Sequence, residues 1–374
     1  MKQVTYLLLF LLLYSCSPTT QQDDNSREHR IHGGPYIIYN EDGTVELIDF
    51  NFTLNRFTQH FDSRNDIGLI RVGTQEGNYE FSLRLHDNIT IPADHHDMPE
   101  QILLISDPHG CGVSFITGLK GNGVIDEHFN WIFGNGHLIV LGDVHNRGDD
   151  VTPIFWLIYK LEEQARRAGG AVHFLLGNHE VMVAQNDHRY TTAKYGIIAE
   201  RIRVQHYGEL WTNKTELGRW MHSRNTMMII GDILFVHAGV SSQLAATELS
   251  ITKINEIVRR YMALPRSATV DPSTNGHLIM RTNGPLWYRG MVTPGAMNTA
   301  IVDEILERFG VRKIVVGHTI FPEISSLFGG RVIATKVNTR MNLQNRRSRG
   351  LMITPDDMWA VDNEGRRMNL MVVR

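Results

Sequence analysis

The sequence predicts an α/β fold with much parallel sheet, preceded by a small β-rich module. Three observations point there. From Tyr36 to Ile91 the pattern is strand-like, with YIIY, VELIDF, IGLIRV and YEFSLRL set between turn residues. After residue 100, short apolar runs alternate with amphipathic helical stretches, as in strand–helix–strand units. The 374 residues, 42% of them hydrophobic, are enough to bury one large core.

Taken in order, residues 1–15 carry one early Lys and the apolar segment Val4 to Tyr14, too short for a comfortable membrane span and suited to an export signal. Leu13-Tyr14-Ser15-Cys16 resembles a bacterial lipobox, which implies cleavage before Cys16 and lipidation of that residue. Residues 16–30 then act as lipid anchor and polar tether. The expected location is that of an exported bacterial lipoprotein, on the periplasmic face of a membrane or the cell surface, held there by the lipid alone. The only other cysteine is Cys111, so no internal disulfide is expected in a lipidated chain. Net charge is −3, which supplies no global basic field, and nucleic acid is not an expected partner.

Residues 31–98 form the β-rich accessory module, in which no chemical motif is found. Pro92 to Pro99 reads as a linker, with His95 and His96 in a solvated loop. Within residues 99–374, Thr152 and Pro153 supply an N-cap and a first-turn proline. Ile154, Leu157, Ile158, Leu161 and Ala165 line one face of the helix, and Gly169 can end it. A second helix runs from Thr299 to Phe309, is closed by Gly310, and feeds the apolar run 313–316. The tail reads as a hairpin turning at Asn363 to Gly365.

The chemistry lies in the residues just after each apolar run. Residues 102–105 lead into Asp107-Pro108-His109-Gly110, and 137–141 into Gly142-Asp143. Residues 172–176 lead into Gly177-Asn178-His179-Glu180, 233–236 into His237, and 314–316 into Gly317-His318. In open α/β folds the residues just past the carboxyl ends of strands line the ligand crevice. One Asp or His there is usually a turn former; five sites together predict a metal centre. The donors are carboxylate, imidazole and amide without thiolate, which favours manganese, with iron or zinc as alternatives. Six donors exceed what one catalytic ion with open positions needs, so two divalent or trivalent ions are expected.

The ordered set DPHG, GDVHNRG, GNHE, FVHAG and GHT resembles the calcineurin-like metallophosphoesterases, within them the protein phosphatase branch. GPLWYRG, residues 284–290, and Leu217-Gly218-Arg219-Trp220 resemble the bacterial Shewanella-like protein phosphatases. The resemblance implies a four-layer α-β-β-α metallophosphoesterase sandwich. It also implies that Asp107 and His109 hold one ion, that Asp143 bridges both, and that Asn178, His237 and His318 complete the second. His179 would be the general acid, oriented by residue 146, while Arg147, Arg289 and Asn178 would contact the substrate phosphate. A hydroxide shared by the ions would attack the phosphomonoester directly, the substrate being a phosphorylated protein or a small phosphoester.

Two departures stand out. Asn146 replaces the second aspartate of GDxxDRG, so the amide offers no charge to a protonated His179. Val337 to Met341 replaces a DTG-like string at the floor of the site. Arg189 and the group Arg340, Arg346, Arg347 and Arg349 read as solvated loop residues, and Cys111 as a small packed one. The competing readings are a diadenosine-polyphosphate or other small-molecule phosphoesterase, and a catalytically impaired surface-binding lipoprotein.

Overall fold

The computed structural model describes residues 33–51, 53–269 and 271–373; the expected signal segment, the anchor at Cys16 and the whole tether fall outside them. Two sheets dominate. The six-stranded sheet runs Arg367–Met368, Met358–Val361, Gly350–Ile353, Ile102–Ile105, His137–Val140, Ala171–Phe174, with the last three strands parallel. The seven-stranded sheet runs Met371–Val372, Ser325–Leu327, Val332–Ala334, Lys313–Val316, Ile233–Val236, Met227–Ile230, His95–His96.

Alternation along each strand explains the layering, because successive side chains leave a sheet on opposite faces. Ile102, Leu104, Ile139 and Leu141 meet Met228, Ile230, Phe235, Val315 and Ile333 in the apolar layer between the sheets. Their neighbours Leu103, Ile105, Leu138 and Val140 join Phe115, Leu119, Ile154 and Leu157 of the helices Gly112–Gly121 and Val151–Arg167. On the other side, Leu234, Val236, Ile314 and Val316 share a cluster with Ile254, Val258, Val302 and Ile305. Each core strand is therefore buried on both faces and reads as an unbroken apolar run. The result is the expected helix–sheet–sheet–helix sandwich.

The helix Val151–Arg167 shows why the N-terminal residues matter. It begins two residues earlier than expected, with Asp150 at the N-cap position. Thr152 is not the cap, because its hydroxyl is engaged 3.0 Å from the Tyr36 hydroxyl. Pro153 still fits, since the N–H it lacks would have no partner in a first turn. Gly169, at φ +82°, lies just past the helix end. Phe155, Trp156 and Tyr159 are as fully buried as the expected apolar face. The second face is covered by the N-terminal residues: Trp156 Nε1 donates to the Pro35 carbonyl at 2.9 Å, and Tyr36, Ile37 and Ile48 lie in the same core as the helix.

Those N-terminal residues form a three-stranded antiparallel sheet (Tyr36–Tyr39, Val45–Phe50, Arg56–Phe61) and a hairpin (Ile70–Gly73, Glu80–Leu83). His95 and His96 differ from their loop reading, because they extend the seven-stranded sheet as a short edge strand beside Ile229 and Ile230. His96 thereby packs 4.5 Å from the His173 ring, at the strand ends opposite the loops of Asp107 and Asp143.

One buried charge ties the N-terminal sheet down. The Glu216 carboxylate is fully buried and accepts from Arg64 Nη2 at 2.7 Å and the Tyr159 hydroxyl at 2.7 Å, as well as from the Tyr39 hydroxyl. Burial opposes its charge, but these donors outweigh it and hold the carboxyl below its ordinary value of 4.5. The stabilisation is therefore complete above the ordinary glutamate pKa and is lost as pH falls through the lower folded value. Glu216→Gln is expected to cost about 2–3 kcal/mol at pH 7. Urea unfolding at pH 7 and again below the folded pKa should show that difference shrink; a pH-independent difference would count against the charge being responsible.

Candidate active site

The loops after five parallel strand ends, three from one sheet and two from the other, converge at one edge of the sandwich. Their backbone is unusual. Asp107, His109, Asp143, Asn146, Arg147 and His318 all adopt left-handed φ, between 46° and 72°, at a cost of about 1 kcal/mol or more each for non-glycine residues. Such clustering is characteristic of functional sites, where the surrounding structure imposes the conformation. At Gly110 and Gly148 the two loops touch, and a Cβ on either would lie within 2.6 Å of the other's backbone. His109 and Gly110 donate to the carbonyls of Asp143 and Val144, both at 2.9 Å.

Asp143 is the centre of the arrangement. Its Oδ1 accepts the backbone N–H of His179 at 3.0 Å and stands 3.3 Å from His237 Nε2. Its Oδ2 is buried without a hydrogen-bond partner among the described residues, 3.7 Å from His109 Nε2 and 3.9 Å from His179 Nε2. Asn178 Oδ1 lies 3.0 Å from His237 Nε2, and His318 Nε2 is buried with no hydrogen-bond partner among the described residues. Among the described residues two groups converge closely enough to hold an ion: His109, Asp143 and His179 on one side, and Asp143, His237 and His318 on the other.

The imidazoles are aimed by contacts outside the site. His109 Nδ1 donates to the His145 carbonyl at 3.0 Å and His237 Nδ1 to the Leu141 carbonyl at 2.8 Å, so both present Nε2 inward. Burial pushes the His109 and His318 rings down to about 3. Burial also acts on His237, but Asp143, with help from Asp107, overcomes it and raises that ring to about 9. A site that forces a proton onto a buried imidazole has an excess of negative charge. Together with the unpartnered Asp143 Oδ2 and His318 Nε2, that is the environment a cation fits.

The Calcineurin-like phosphoesterase family profile matches residues 100–322, more than half of the chain and all five loops. The chain belongs to this family. It is similar to the crystal structure of the cold-active protein-tyrosine phosphatase of a psychrophile Shewanella sp., with TM-score 0.80 and 32% identity, covering 90% of this chain and 99% of that one. It is 25% identical over 268 residues to Shewanella-like protein phosphatase 2 of Arabidopsis thaliana, covering 60% of this chain and 67% of the relative. An uncharacterized protein of Schizosaccharomyces pombe is 29% identical over 247 residues, covering 63% and 72%. The chain is thus a phosphatase of a metal-dependent family, akin to the Shewanella-like protein phosphatases.

In this phosphoesterase the other expected residues surround that centre. His179 Nδ1 is 2.8 Å from the Asn146 amide nitrogen, and the Asn146 carbonyl oxygen accepts from the Thr191 hydroxyl at 2.9 Å. The amide therefore donates to the ring rather than accepting from it. Burial is the main reason the His179 pKa is lowered. Arg147 is exposed, with its guanidinium 5.3 Å from the Tyr190 ring, and makes no ion pair among the described residues. Arg289 is no surface salt bridge: it donates to the Thr319 hydroxyl at 2.7 Å and to the His318 carbonyl at 3.4 Å, within the fields of Asp143 and Asp107.

Arg189 is exposed and paired with Asp187. Arg340, Arg346 and Arg347 pair with Glu76, Glu364 and Glu323. Arg349 departs from its solvated reading. It is 1% exposed and donates to the Ser106 carbonyl and the Ser114 hydroxyl, both at 3.0 Å, beneath the Asp107 loop. Its strand, Gly350–Ile353, pairs with Ile102–Ile105, which draws the preceding residue under that loop.

Two participants escaped the sequence reading. Lys336, 5% exposed, places its ammonium 2.7 Å from Asp107 Oδ1 and 3.0 Å from His109 Nε2. Among the described residues Asp107 Oδ1 makes no hydrogen bond, and the ammonium at 2.7 Å stands closer to it than His109 Nε2 at 4.0 Å. The available signal was positional, since Lys336 also lies just past a parallel strand end, that of Val332–Ala334. Glu180, fully buried, accepts the backbone N–H groups of Asp143 (2.8 Å), Val144 (2.9 Å), His145 (3.1 Å) and Gly177 (2.8 Å). It also contacts His145 Nδ1 at 3.2 Å, which accounts for a histidine that is buried and not aimed at the site. Glu180→Ala, which strips the acceptor from four amides, is expected to lower metal retention or kcat/KM on the order of 10- to 100-fold, with a loss of stability. Metal content, kinetics and thermal melting measure this; a fully active, fully loaded variant would rule out the organising role.

Proposed function

We propose that this phosphatase hydrolyses phosphomonoesters on proteins through a two-ion centre. Asp107, His109 and Asp143 would hold one ion; Asp143, Asn178, His237 and His318 would hold the other. The single observation carrying the reading is the position of Asp143, whose two oxygens face separate sets of imidazoles. When bound, the ions supply a water of lowered pKa and positive charge for the phosphoryl oxygens.

The chain's own residues supply the remainder. Arg147 and Arg289, both reaching the open side, are suited to clamp phosphate oxygens from two directions. His179 holds a proton at Nε2 while its Nδ1 is engaged by Asn146, so an N–H faces the place where the leaving oxygen would lie. Thiol attack is not supported. Cys111 is buried, burial together with Glu76 pushes its thiol up, and its Sγ lies 3.9 Å from Glu76 Oε2. Water is therefore the proposed nucleophile, with no phosphoenzyme.

The protein substrate is favoured by the names of the relatives, a protein-tyrosine phosphatase and Shewanella-like protein phosphatases. Beside the site, Met182 and Trp287 line a cavity of ≈ 250 Å³, with room for a substrate side chain. A panel of phosphotyrosine and phosphoserine peptides, nucleotides and diadenosine polyphosphates tests the reading. Peptides should be preferred, activity should vanish on chelation and return with manganese, and iodoacetamide should have no effect. Preference for the dinucleotides would point to the small-molecule reading, and sensitivity to iodoacetamide with indifference to chelation would overturn the mechanism.

The proton role has its own test. His179→Gln should lower kcat on alkyl phosphomonoesters by about 10²–10⁴ and on p-nitrophenyl phosphate far less, because nitrophenolate leaves without a proton. Equal losses on both would remove His179 as the proton donor.

A further inference from the structure

The two halves of the site differ in a way that the donor set alone does not reveal. On the side of His237 and His318, the inward nitrogen of His318 has no hydrogen-bond partner among the described residues. On the side of Asp107 and His109, an ammonium already stands between the carboxylate and the imidazole, at 2.7 Å and 3.0 Å. This is no surface lysine that has folded inward. The backbone of Lys336 continues the strand Val332–Ala334, the Thr335 N–H donates to the Val316 carbonyl at 2.8 Å, and the Lys336 carbonyl accepts from Phe321 at 2.9 Å. The side chain is 6% exposed and emerges at the same level as the other strand-end loops.

An ammonium and a metal ion cannot share one carboxylate oxygen and one imidazole nitrogen at these distances, since the repulsion is large in a buried setting. We infer that Lys336 is a resident counter-cation of the Asp107–His109 half of the site, so that this half takes up its ion only by displacing the ammonium. This inference rests on the two-ion reading and adds an order to it. The ion held by Asp143, Asn178, His237 and His318 binds first and tightly. The ion at Asp107 and His109 binds second and exchanges readily, and phosphatase activity then tracks the free metal concentration. Until it is displaced, the ammonium, 2.7 Å from Oδ1, offsets the buried charge of Asp107.

Manganese loading of the full chain distinguishes the outcomes. After stripping with chelator, reloading and desalting, the wild-type protein should retain one ion per chain by elemental analysis. Its low-temperature electron paramagnetic resonance spectrum should show an isolated manganese first, with the spin-coupled pair appearing only with excess metal. Lys336→Met keeps the length of the side chain without its charge. The variant should retain two ions and bind the second at least about tenfold more tightly, the scale on which residues around a metal's ligands tune affinity.

A wild-type chain that keeps two ions on desalting, or forms the coupled pair from the first equivalents, overturns the role of Lys336 while leaving the two-ion reading intact. A variant that still keeps only one ion also overturns it. If neither protein binds manganese, zinc or iron, both readings fall together. Should the variant fail to fold, the wild-type titration decides alone.

Discussion

The site depends on one carboxylate that never faces substrate. Glu180 gathers four backbone N–H groups from two loops, those of Asp143, Val144, His145 and Gly177. Burying an unpaired carboxylate is expensive, and burying one that accepts four amides and an imidazole is not. Burial raises its pKa, yet His145 and the amides outweigh that and leave it below the ordinary glutamate value. Because the carboxylate is charged and fixed at the start of the helix Asn178–Ala184, the left-handed turn at Asp143 has a partner strong enough to hold it. Asn178 and His179, on the first turn of the same short helix, are positioned by the same contact. Strand ends bring the loops to one edge; Glu180 sets the orientation of two of them.

Much of this was legible in the sequence, for identifiable reasons. Core strands buried on both faces are unbroken apolar runs, so Ile102–Ile105 and Ile233–Val236 appear with the boundaries expected of them. The six candidate donors lie just past strand ends, a purely local rule. The features that were not legible depend on contacts distant in sequence. The N-cap moved to Asp150 because Tyr36, over a hundred residues away, engages Thr152. Arg349 reads as one of four loop arginines until strand pairing draws it under Ser106. Lys336 belongs to a stretch with no motif, and its strand is recognisable only once it is paired with Lys313–Val316. Glu180 was within a recognised string, but a carboxylate used as an acceptor for backbone amides has the same letter as one that binds metal.

The N-terminal residues extend the same point to the helix Val151–Arg167. Its expected apolar face accounts for packing on the sheet, and Phe155, Trp156 and Tyr159 then require a second cover. The sheet around Tyr36 supplies it, and further contacts reach the site's surroundings. Asp150, at the start of that helix, accepts the backbone N–H groups of Gln75 at 2.6 Å and Glu76 at 3.1 Å, and Glu76 in turn pairs with Arg340. Asp150 also packs against Gly112, two residues before Ser114, a partner of Arg349. The N-terminal residues are thus continuous with the support beneath the Asp107 loop.

Asn146 acquires a specific meaning from its two neighbours. A carboxylate at that position could only accept, so the facing ring nitrogen would have to carry a proton and the imidazolium would gain a counter-charge. The amide instead donates to His179 Nδ1 while its oxygen accepts from Thr191, which places the ring proton on Nε2, toward Asp143 and the substrate side. The hydroxyl of Thr191 can accept as readily as it donates. Turning the amide over therefore keeps every hydrogen bond and lets the oxygen accept from a protonated Nδ1. An aspartate would favour one protonation state of the histidine, whereas the Asn146–Thr191 pair accommodates both.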